Sequence, residues 1–65
     1  MLLALLSMDD RVEILTMTQT CRILVNLNRI QVARDLERIG KETWGDQAWG
    51  EALTMAAQNT ASWLQ

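Results

Sequence analysis

The sequence predicts an all-α fold: a helical hairpin or small three-helix unit that assembles as a dimeric bundle. Three observations carry that expectation. Apolar residues recur at three-and-four spacing along most of the chain, which is the period of a helix face. The chain has no proline, and its three glycines, Gly40, Gly45 and Gly50, all fall in one short stretch, so helix-breaking signals concentrate there. Finally, 65 residues that are 49% apolar are too hydrophobic for disorder, yet sit near the lower size limit at which one core stabilises a domain. Disulfides, metals and partner subunits are the usual supports for such a chain. Its single cysteine cannot form an internal disulfide, and without histidine no Cys/His zinc pattern can be written. The partner subunit remains.

The elements follow in chain order within a single domain, residues 1–65. Ser7 followed by Asp9 and Asp10 reads as an N-cap with acidic residues at the positive end of the helix dipole. A helix therefore starts near Met8, and Ile14, Met17, Cys21 and Leu24 continue it on one face. Residues 16–28 complicate this reading, because they are rich in β-branched side chains and partly alternate polar with apolar. Asn28 with Gln31 forms a pair like a capping box, after which Ile30, Ala33 or Arg34, Leu36 and Ile39 run helically toward Gly40. Gly40 reads as a helix stop and residues 40–45 as the main turn. Thr43, three residues ahead of Asp46, reads as the next N-cap. The final stripe, Trp49, Ala52, Leu53, Ala56, Thr60, Trp63 and Leu64, is the cleanest helical face in the chain. Its alanines let another helix approach closely, with Trp49 and Trp63 buried beside them.

Two architectures fit these elements. In the favoured one, residues 8–39 form a long helix, or two helices broken near residues 26–28, and pack against residues 44–64. In the other, residues 20–27 form a strand followed by helices at 29–39 and 46–64, and two copies pair their strands. That order is similar to the ribbon-helix-helix family of dimeric DNA-binding regulators, a resemblance of element order over about residues 20–64. The resemblance implies a strand lying in the major groove with Arg22, Leu24 and Asn26, or Thr20, Arg22 and Asn26, facing the bases, and Arg22, Asn26 and Arg29 as nucleic-acid contacts. Leucine is an odd base reader, and a pI near 4.8 runs against a function that rests on phosphate neutralisation.

Charge is unevenly placed. Both ends are acidic, whereas residues 19–41 hold Arg22, Arg29, Arg34, Arg38 and Lys41 against only Asp35 and Glu37. Complementary ends of two antiparallel copies explain this, as does a phosphate-binding island, which is the less favoured account. The longest apolar run, residues 1–6, is far short of the roughly 20 residues needed to span a bilayer. It also lacks the basic start of a secretory signal. A cytoplasmic setting with Cys21 reduced is the expectation.

Catalysis has little to work with. General acid-base chemistry most often uses histidine, and there is none. Asp9, Asp10 and Glu13 form the only dense acidic cluster, and helix-dipole complementation accounts for it without a metal. Cys21 lies in an apolar pattern and reads as a buried small hydrophobe rather than a reactive thiol. No enzyme activity and no cofactor are expected.

The amount of apolar surface is more informative. The first 39 residues carry most of the leucine, isoleucine and valine, and the last helix is mainly alanine with a few larger residues. If residues 8–39 were one helix, Ile14, Met17, Cys21 and Leu24 would lie on one side and Val32, Leu36 and Ile39 nearly opposite. Two such faces require two partners. These seven residues, with Trp44 as an exposed anchor in the turn, are the candidate protein interface. The expected function is a small non-catalytic protein-protein interaction module, a homodimer acting as regulator, inhibitor or assembly adaptor. A dimeric DNA-binding regulator and a non-catalytic subunit of a larger enzyme are the alternatives.

Overall fold

The computed structural model describes residues 2–63, with side chains through Gln58. A short 3-10 helix, Leu2–Leu5, precedes three α-helices: α1 (Met8–Asn26), α2 (Ile30–Trp44) and α3 (Asp46–Trp63). All regular structure among the described residues is helical. The favoured helical reading holds in that α1 runs through residues 20–26, and the alternative architecture with a strand at residues 20–27, and with it the ribbon-helix-helix arrangement, is overturned.

The threonines explain why. The Oγ1 of Thr16 donates to the carbonyl of Val12 at 2.7 Å, and that of Thr20 donates to Thr16 at 2.8 Å. Thr18 does the same to Leu15 at 2.9 Å. Each hydroxyl folds back on the preceding turn, so the β-branched residues sit in the helix with their polar atoms satisfied. The start of α1 is as expected, with the Asp10 amide donating to Ser7 Oγ at 3.2 Å and Asp9 and Asp10 in the first turn.

The break after α1 falls where the two-helix version of the favoured architecture placed it, but Asn28 does not cap α2. With φ +62° it takes the left-handed conformation. The Arg29 amide donates to the Leu24 carbonyl at 2.7 Å and the Asn28 amide to Val25 at 3.0 Å. That pair of bonds is a Schellman stop, with asparagine in the position glycine usually fills. Arg29 takes the N-cap place of α2 without a side-chain bond, and Gln31 bonds Asp35 instead.

Gly40 is likewise not a helix stop. α2 passes through it and ends at Trp44, and Gly40 is buried. A Cβ at this position would run into the ring carbons of Trp49, so the glycine is a notch for the indole. The break falls on Gly45 alone. At φ +94° and ψ 158° it adopts backbone geometry that side chains disfavour. Its amide closes α2 on Lys41 at 2.8 Å, and its carbonyl accepts the first bond of α3 from Trp49 at 3.1 Å. Thr43 is no cap either, since its hydroxyl donates to Ile39 within α2.

α1 and α2 form an antiparallel hairpin, and α3 lies across one of its faces. Ile14, Thr18 and Cys21 on α1, Ala33 and Gly40 on α2, and Ala48, Trp49, Ala52 and Ala56 on α3 are buried. The small residues of α3 allow the close approach expected of them: Thr18 Oγ1 reaches the Ala52 carbonyl at 3.5 Å, and Ala52 and Ala56 have no exposed surface. Trp49 is fully enclosed, with its Nε1 lacking an acceptor. The expected partners of this stripe at Thr60, Trp63 and Leu64 lie outside the residues whose side chains are described.

Candidate interaction surfaces

The structure sorts the eight interface candidates into three groups. Ile14 and Cys21 belong to the core enclosed by the chain's own helices, so they offer no contact surface. Trp44 ends α2 half-buried and packs against that core, which corrects its placement in an exposed turn. The remaining five, Met17, Leu24, Val32, Leu36 and Ile39, come together. Helical spacing puts Met17, Thr20 and Leu24 along the flank of α1 that faces away from α3, and Val32, Leu36, Ile39 and Thr43 along the corresponding flank of α2. Met17 and Leu36 reach inward to the core cluster, while Val32 and Ile39 are 49% and 48% exposed. Leu27, at the loop end of the same side, is 65% exposed. This is the back of the hairpin. Its apolar rows carry no charged residue between Met17 and Ile39, with Asp10 and Glu13 at one end and Arg29 at the other.

Leu27 and Ile30 are exposed apolar residues outside that candidate set, 65% and 39% exposed. Their signal was the break itself, because a Schellman stop places the residues around it at the exposed tip of a hairpin.

The opposite face holds a groove of about 470 Å³ at the loop end of the hairpin, lined by Cys21, Arg22, Val25, Ile30, Arg34 and Leu53 among others. The Cys21 Sγ forms a 3.5 Å contact with the Ala33 carbonyl. Burial first, and then the negative charge of Glu37, raise the thiol pKa above its ordinary value. The neutral, weakly nucleophilic form is therefore held, in keeping with a packing role.

The three nucleic-acid candidates do not form one patch. Arg22 and Asn26 line the groove, whereas Arg29 stands at the helix break. Two of the remaining cations are engaged, Lys41 with Glu37 at 3.4 Å and Arg38 with Asp35 at 4.0 Å. Among the described residues no group of three or more Asp, Glu or Cys side chains is placed to hold a metal ion. No described helix is long and apolar enough to cross a membrane. Comparison with known proteins finds no matching family model, no matching curated protein and no matching solved structure.

Proposed function

We propose that this chain is a small non-catalytic interaction module that dimerises through the back of its α1–α2 hairpin and serves as a regulator, inhibitor or assembly adaptor. The observation that carries the reading is the apolar face formed by Met17, Leu24, Leu27, Val32, Leu36 and Ile39, which the described side chains of α3 leave uncovered. Burying a leucine or isoleucine side chain contributes about 1.5–3 kcal/mol when complete, so several half-exposed residues on one face are a substantial drive to associate. A second copy fits by charge as well as by shape. Asp10 and Glu13 close one end of the face and Arg29 the other, so two hairpins laid back to back and end to end bring opposite charges together.

Sedimentation velocity at several micromolar concentrations tests the reading. The expected result is a dimer that Leu24→Asp or Val32→Glu converts to a monomer, with helix content by circular dichroism retained at least in Val32→Glu, whose side chain is half exposed. A wild-type chain that stays a folded monomer throughout the range would overturn it.

A further inference from the structure

α3 crosses the hairpin at Thr18 and Gly40 and leaves the loop end of that face open. Among the described residues nothing covers the core rows there. On α1 the row Ile14, Thr18, Cys21 runs on to Val25, which is 51% exposed, and on α2 the row through Ala33 begins at the partly exposed Ile30. Between them lies the groove, floored by Cys21 and Ala33 and walled by Val25, Ile30 and Leu53. Among the described residues it is the open end of the three-helix packing.

Its charged groups are not balanced. Arg22 and Arg34 both line the groove, and among the described residues neither has a carboxylate within 4.0 Å. The third charged lining residue, Glu37, is already paired with Lys41 at 3.4 Å. The Nε of Arg22 is out of contact with water and has no acceptor, which is costly for a buried donor. The groove therefore offers an apolar floor beside two guanidiniums that lack carboxylate partners.

We propose that this groove docks an acidic amphipathic helix of a partner protein. Apolar side chains spaced i, i+3 or i+4, and i+7 would fill the space among Val25, Ile30 and Leu53, and carboxylates beside them would pair with Arg22 and Arg34. A second copy is a poorer occupant, because the apolar row beside the carboxylates of its first helix, Met17 and Leu24 next to Asp10 and Glu13, belongs to the proposed dimer face on the other side of the hairpin. The groove and the proposed dimer face lie on opposite sides of the hairpin, so the module joins a copy of itself on one side and an acidic helix on the other.

Two synthetic helical peptides of about 14 residues, with one leucine register and either glutamate or lysine flanking it, test the proposal by calorimetric titration into the full chain. The glutamate peptide is expected to bind about tenfold or more tightly than the lysine peptide, an advantage that shrinks with added salt. Arg34→Glu, at an exposed position, should reverse the preference while leaving helix content unchanged. Val32→Glu, on the dimer face, should bind the glutamate peptide as the wild type does. Equal affinity for the two peptides, an unaltered preference in Arg34→Glu, or loss of binding in Val32→Glu would overturn the assignment. Binding of decanoate with no peptide binding would overturn it too, in favour of a small anionic amphiphile. A dimer that persists while the peptide arm fails removes the groove proposal and leaves the dimer reading standing.

Discussion

At Gly40 the absence of one carbon atom decides how two helices meet. A helix-interior glycine usually costs about 0.5–1 kcal/mol relative to alanine, and this one is buried under the six-membered ring of Trp49, where a Cβ would overlap the ring carbons. Gly50 is the control, since it is exposed, lies in α3, and has nothing within 4 Å of an added Cβ. Gly50→Ala is therefore expected to stabilise the fold by about 0.5–1 kcal/mol. Gly40→Ala is expected to destabilise it by about 1–3 kcal/mol, because the fully buried indole has no free space into which to move. Urea denaturation followed by tryptophan fluorescence measures both, and stabilisation by Gly40→Ala would show that the notch is not needed. In sequence the two glycines look alike. Only the residue that faces Gly40 tells them apart, and Trp49 is nine positions away in another helix.

Among elements, the 3-10 helix Leu2–Leu5 depends most on a distant group. The Glu51 carboxylate on α3 accepts from the Leu2 amide at 3.0 Å and the Leu3 amide at 3.4 Å, so it supplies the acceptors that the first amides of a helix lack. This holds Leu3 in the core, 3% exposed. Hydrogen bonds of this kind contribute about 0.5–1.5 kcal/mol each. Glu51→Ala is expected to speed amide exchange over residues 2–6 and to lower global stability by about 1 kcal/mol, with α1 and α2 still protected. Exchange over residues 2–6 that matched the wild type would dissociate this element from Glu51. The helix ends show how far local chemistry was legible. Ser7, Asp9 and Asp10 cap α1 as their spacing indicates, because capping involves only neighbours in sequence. Asn28 and Thr43 were misassigned for a related reason. Asparagine serves both as N-cap and as left-handed stop, and threonine both caps a helix and bonds back within one. The long-range bond of Glu51 carries no local signature at all.

For the molecule as a whole, the arrangement of cations decides between partner classes. The basic stretch of residues 19–41 is divided three ways, with Arg22 and Arg34 in the groove, Arg29 at the helix break, and Arg38 and Lys41 paired with Asp35 and Glu37. A duplex requires several cations along one track, and the salt dependence of binding counts them. Random-sequence duplex DNA at low ionic strength is therefore expected to show no submicromolar, salt-steep binding. Submicromolar affinity that falls steeply with salt and is abolished by Arg22→Ala would reinstate a DNA-binding function on a helical surface.

The sequence by itself determined that the chain is helical, where α1 begins, that Trp49, Ala52 and Ala56 lie on the buried face of α3, and that more apolar surface exists than one helix can cover. Those properties follow from periodicity, capping and composition, which act within a few residues of each other. It did not determine how many partners that surface requires. Read along a single helix, Met17 and Leu24 point away from Val32, Leu36 and Ile39, and two partners are demanded. The left-handed turn at Asn28 reverses the chain and places both sets on the back of one hairpin, while Ile14 and Cys21 turn inward beneath α3. The relation between two faces is set by the angle at one backbone position and by what packs across it, and neither is written in the spacing of side chains along either helix.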